Sequence, residues 1–237
     1  MKSKLAVALC LIGMLVLSRV GGAGNLDTMP TPLGDEDEFS STDSGSWEPE
    51  AAAGFPARVE RTGQTTTYGP RDDGKLRKGV AWPIPRFTDN GNGTVTDNLT
   101  GLLWLKNADC SVFYDGDATG HNERKWGGAL RAANKLQQGF CDLTDGSVPG
   151  KWRLPNVKEL QSLIHFGFDN PSIPNTAGTG QWIEGDPFSG LLLDNGYWSA
   201  TTYARYAPSA WLVTLNGGVF IGQKSSPRYV WPVRGGQ

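Results

Sequence analysis

Histidine and cysteine, which carry much of the nucleophilic and metal chemistry of proteins, are nearly missing. The 237 residues contain two His and three Cys. His121 and His165 are too isolated to suggest a metal site or a catalytic triad, and each reads as an ordinary surface or helix-cap residue. The chain also lacks a phosphate-binding glycine loop, a nucleophile elbow and any zinc-ligand spacing. These absences argue against the common enzyme classes, so no catalytic residue, metal or cofactor is expected. There is no dense basic stripe of the kind that binds nucleic acid, no internal repeat and no collagen-like triplet. Beyond the N-terminus no membrane span is expected.

What is present begins with a secretory pattern. Lys2 and Lys4 precede an apolar run from Leu5 to Leu17, followed by Gly21, Gly22 and Ala23. The run is short for a membrane span, so residues 1–23 read as a signal peptide cut after Ala23, with a retained anchor as the alternative. The expected location is therefore periplasmic, cell-surface or extracellular. Cys10 lies inside the apolar run and leaves with it, so Cys110 and Cys141 remain as an even pair in an oxidising compartment. They are expected to form a disulfide.

Residues 24–57 hold Asp27, Asp35, Glu36, Asp37, Glu38, Asp43, Glu48 and Glu50 without one Lys or Arg. So little apolar surface cannot offset the entropy of ordering, and the stretch reads as an acidic disordered linker. The chain has 22 basic and 24 acidic residues; removing the signal's 3 basic and the linker's 8 acidic groups leaves 19 and 16 in residues 58–237. That mild basic excess permits a polyanionic partner.

Residues 58–237 are long enough for one domain with its own core. Phe87 to Asp97 places β-forming residues on either side of Asn90-Gly91-Asn92-Gly93, a hairpin signal. The spacing does not suit a calcium loop, since Gly91 and Gly93 supply no side-chain oxygen where ligands are needed. Asn92 and Asn98 stand in glycosylation sequons but read as turn residues. A strand follows at Leu102 to Leu105, and apolar spacing predicts a helix from Trp126 to Leu136. Asn156 and Glu159 form a capping box for a second helix, which Gly167 is placed to end. Four strands are expected at 197–201, 210–215, 218–223 and 229–234, with Asn216-Gly217 turning the central hairpin. This order indicates an α+β fold.

The string Phe87 to Asp97, then Thr100-Gly101-Leu102 and Trp104, resembles the family typified by the C-terminal domain of the Legionella collagen-like adhesin. So do the Trp126 helix, Gly150 to Asn156 with Glu159-Leu160, Trp198-Ser199, and the ending Trp231-Pro232-Val233-Arg234-Gly235-Gly236. The resemblance runs in order from about Gly63 to the C-terminus. It implies a C-type-lectin-like fold of the formylglycine-generating-enzyme variant, with two helices packed on a twisted antiparallel sheet and long loops. It also implies a sulfated or acidic polysaccharide as ligand, and a homo-oligomer, although the collagen stalk of the typical member is lacking. The related enzyme lineage needs reactive cysteines late in the domain, and none follows Cys141. A calcium-type lectin would carry Glu-Pro-Asn or Gln-Pro-Asp, and neither occurs.

Trp104, Trp198 and Trp231, flanked by apolar residues, are expected in the core. Ligand binding is assigned to the late sheet and its loops, where Arg205, Lys224 and Arg228 would supply charge and Tyr203, Tyr206 and Trp211 stacking. Two other segments compete: the basic cluster Arg71, Lys75, Arg77 and Lys78, and the long loop Asn170 to Asp186. The function read from this is a non-catalytic, exported, adhesin-like binding module. The alternative is a structural or protein-interaction component of a cell-envelope assembly, with a surface protein as partner.

Overall fold

A computed structural model describes residues 59–112 and 121–235; the expected signal peptide and acidic linker lie outside them. In chain order the elements are α1 (Asp73–Leu76), β1 (Phe87–Asp89), β2 (Thr94–Asp97), β3 (Leu103–Leu105), β4 (Glu123–Arg124), α2 (Trp126–Lys135) and α3 (Val157–Gln161). They are followed by β5 (Tyr197–Thr202), β6 (Ser209–Val213), β7 (Val219–Gln223), β8 (Arg228–Tyr229) and β9 (Val233–Arg234). The fold is α+β, as expected. Among the described residues no helix is long and apolar enough to cross a membrane.

The first hairpin forms where Asn and Gly predict it. Phe87 pairs with Asp97 across β1 and β2. Gly93 has φ of 83°, and a Cβ there would lie 2.6 Å from the carbonyl oxygen of Asp142. Both the left-handed conformation and the close approach require glycine. The approach seats the turn beside Cys141, which is bonded to Cys110 as expected. Asp89, at the start of this turn, accepts from Lys106 Nζ at 2.6 Å and from the Gly91 N–H.

The strands make two sheets where one was expected, ordered β1-β2-β3-β9 and β4-β8-β5-β6-β7. The predicted strand 229–234 is divided between them: Tyr229 pairs with Glu123 in the second sheet, and Val233 with Trp104 in the first. Pro232 lies at the crossing and lacks the N–H that a continuous strand would donate. Between the sheets, Trp231 is fully buried and donates Nε1–H to the Leu105 carbonyl at 2.8 Å. Phe188 meets it edge-on at 4.9 Å, and Trp104 and Tyr197 lie 5.2 and 5.5 Å away. Trp104, Trp198 and Trp231 are thus core, as predicted. The pairing of β5 with β8 is parallel, a departure from a wholly antiparallel arrangement.

Asn156 caps α3 with the predicted box: its side chain accepts from Lys158 and Glu159 N–H, and Glu159 accepts from Asn156 N–H. Gly167 does not end this helix. The N–H groups that would extend it are diverted, His165 N–H to the Ser172 carbonyl and Phe166 N–H to the Thr62 carbonyl. The Ser162 carbonyl accepts from Arg86. Leu163 and Ile164 therefore reach the core from a turn. His165 is also unlike the surface or cap residue expected, being only 7 % exposed. It stacks on Phe168 at 4.0 Å and meets Trp82 edge-on at 4.9 Å.

Candidate binding surface on the late sheet

At the end of β5 the chain turns through residues 203–208 into β6. Three backbone hydrogen bonds close this loop: Tyr203 N–H to Ser209, Tyr206 N–H to Tyr203, and Ser209 N–H to Tyr206, at 2.9 to 3.0 Å. Lys224 N–H donates to the Pro208 carbonyl at 2.9 Å, tying the loop to the exit of β7. Tyr203 meets Trp211 edge-on at 5.4 Å, a favoured aromatic geometry. The tip leaves Tyr206 57 % exposed and Arg205 exposed beside it. A solvent-facing phenol and guanidinium therefore stand on a loop whose backbone is held in place.

Lys224 has a different setting. Its Nζ lies 3.9 Å from the Trp126 ring centroid and donates to Thr202 Oγ1 at 2.8 Å. Trp126 is anchored by its Nε1–H on the Ser199 carbonyl. The cation thus joins the start of α2 to the end of β5, with its charge partly engaged by the indole face. Trp126, read from the sequence only as the start of a helix, belongs to this cluster.

Arg228 stands apart. It lies opposite Arg124 on β4, and its neighbour Tyr229 pairs with Tyr197 at the start of β5, whereas Lys224 contacts Thr202 at the other end. Strand rise puts about 16 Å between those two positions of β5. The structure therefore gathers Tyr203, Arg205, Tyr206, Trp211 and Lys224 at one end of the sheet and leaves Arg228 toward the other.

Two residues of this region escaped the sequence reading. Phe220 and Ile221 on β7 are both largely exposed, although neighbouring strand residues point to opposite faces. A strand with one covered face would bury one of the two. Edge position in the sheet, which sequence periodicity does not reveal, leaves both uncovered.

The competing segments are ordered as well. Arg77 donates to the Gly74 and Thr65 carbonyls, and Arg71, Lys75 and Lys78 are exposed. In the long loop, Asn175 Oδ1 accepts from the N–H groups of Gly178, Thr179 and Gly180. His121 is exposed and its Nδ1 lies 2.7 Å from Asp109 Oδ2, an interaction that raises its pKa. Among the described residues no group of three or more His, Cys, Asp or Glu side chains is placed to hold a metal.

A search of curated proteins finds no match. The family model of the Lcl C-terminal domain matches residues 93–234, from the first hairpin turn to the last residue of β9. More than half of the chain lies within that match, and it contains both the late sheet and the disulfide. The chain belongs to the Lcl C-terminal domain family.

Proposed function

We propose that this protein is an exported, non-catalytic binding module that recognises an acidic or sulfated polysaccharide through the loop 203–208 and its surroundings. The observation that carries this reading is the exposed pair Arg205 and Tyr206 on a hydrogen-bonded loop. A guanidinium presents planar paired donors to a sulfate or carboxylate, and a phenol ring offers an apolar face with a polar tip. The closed backbone lowers the ordering cost of binding. Trp211 packs edge-on against Tyr203 at the loop's start, and Lys224 adds positive potential. Membership of the family supports an adhesin-like role, and few helices with short antiparallel strands and long loops support the C-type-lectin-like fold.

The test is a salt-titrated binding assay with heparin and dextran sulfate, using neutral dextran as control. Binding at low ionic strength that weakens as salt rises is the expected result, because exposed charge contacts are screened. No binding to either polyanion at low salt would sink the reading. Export is checked by sequencing the N-terminus of the mature protein, expected to begin at Gly24.

A second reading, an interaction component of a cell-envelope assembly, is favoured by the edge strand β7 with its exposed Phe220 and Ile221. Uncovered edges pair readily with another chain. Recovery of one discrete protein partner, lost on Ile221→Lys and without polysaccharide binding, would favour it.

A further inference from the structure

Residues 59–84 precede the family match, yet they pack against the domain. Phe166 N–H donates to the Thr62 carbonyl at 2.8 Å, and Trp82 Nε1–H to the Arg61 carbonyl at 2.7 Å. This segment, together with His165 and Gly178, lines an open cleft of about 170 Å³. Its apolar walls include Trp82, Pro83 and Ile84, while Arg61, Arg77 and Asp73 bring a net single positive charge.

His165 lines the cleft beside these charged groups. The Gly167 N–H points at its Nδ1 at 3.1 Å. A backbone N–H can only donate, so Nδ1 carries the lone pair and Nε2 carries the proton. Burial, with the nearby charge of Arg86, holds the imidazole pKa below its ordinary value and favours this neutral form. Among the described residues the Nε2–H has no acceptor. Gly63 packs directly on the imidazole: a Cβ there would lie 2.4 Å from Cδ2 and 2.6 Å from Nε2, so only glycine allows this approach. Although the residue is largely buried, Nε2 is not one of the sealed, unpartnered side-chain atoms, so the donor can be reached and an oxygen entering the cleft would take its proton in a hydrogen bond.

We propose that this cleft binds a small monocarboxylate with a flat apolar body, its oxygens taking the His165 Nε2–H and the Arg61 guanidinium and its ring lying against Trp82 and Ile84. The net charge of the lining matches one carboxylate. The size also fits, since an apolar cavity of about 150 Å³ accommodates benzene. The site is separate from the late-sheet surface, and either can fail without the other.

The experiment uses the full chain with ¹⁵N-labelled histidine, whose only resonances come from His165 and His121, titrated with benzoate and with neutral benzamide. Benzoate is expected to shift the His165 Nε2 signal saturably and leave His121 unmoved. Benzamide should bind roughly tenfold more weakly, the loss of one charge-assisted hydrogen bond. His165→Phe, which retains a ring against Phe168, and separately Arg61→Gln should each weaken benzoate by a similar factor, read by calorimetry. The two variants are independent, so failure of one to fold leaves the other decisive. Absence of a saturable shift, a shift at His121 alone, equal affinity for benzamide, or unchanged affinity in a folded variant would overturn the proposal.

Discussion

Arg86 and Asp97 meet face to face inside the domain, with neither side chain exposed and paired contacts of 2.9 and 3.0 Å. Burial pulls the Arg86 pKa down to about 10 against the attraction of Asp97. Arg86 Nη2 also donates to the Ser162 carbonyl at 2.8 Å, so the pair links the first hairpin to the end of α3. Asp97→Asn leaves a buried guanidinium without its counter-charge and is expected to cost about 3–5 kcal/mol. Arg86→Met should cost less, because a carboxylate can discharge by protonation and still has the Leu99 and Thr100 N–H groups and the Thr100 hydroxyl as partners. Urea unfolding of both variants measures the difference.

Lys224 and Arg205 separate stability from binding. Lys224→Met removes the contact with Trp126 and the bond to Thr202, and is expected to lower stability by about 1 kcal/mol. Arg205→Ala removes an exposed side chain and should change stability by less than about 0.5 kcal/mol. Heparin affinity is expected to fall in Arg205→Ala with a shallower salt dependence. An Arg205→Ala protein that binds heparin normally would remove Arg205 from the surface.

His165 predicts an acid effect. Burial holds its folded pKa below the ordinary 6.5, so between the two values the unfolded chain binds more protons. Stability from this group is complete above 6.5 and is lost as pH falls through the folded value. His165→Phe removes that dependence. Denaturation midpoints of wild type and variant, compared from pH 7.5 to 5, should show the wild type losing more stability on acidification.

The Cys110–Cys141 bridge closes a sequence separation of 31 residues. Replacing both cysteines by serine is expected to cost about 3–4 kcal/mol, since the unfolded chain regains the freedom of an open loop. A thiol assay finding both Cys110 and Cys141 free in the non-reduced protein would contradict the bridge.

Local features were legible because local chemistry produces them. Asn90 to Gly93 marks a hairpin through backbone conformations that few residues tolerate, and Asn156 with Glu159 marks a helix start through two reciprocal hydrogen bonds. The length of that helix was not legible. Its ladder stops because Ser172, Thr62 and Arg86 take the partners it would have used, and these residues are remote from it in sequence.

The candidate surface divides in the same way. Residue type suggested aromatic and basic groups near the C-terminus, and the chain's own spacing brought Tyr203, Arg205 and Tyr206 onto one short loop. Whether Lys224 joins them while Arg228 does not depends on which strand pairs with which, and so does the exposure of Phe220 and Ile221 on an edge.

The α+β class, the disulfide partners, the two principal turns and the family can all be read along the chain, because they rest on short-range signals or on the identity of residues. Tertiary structure alone decided the division into two sheets, the burial of His165 and the cleft that residues 59–84 close over it. Each arises from contacts between distant segments, whose energies depend on shape and on exclusion of water, and none of the three is encoded in any local run of residues.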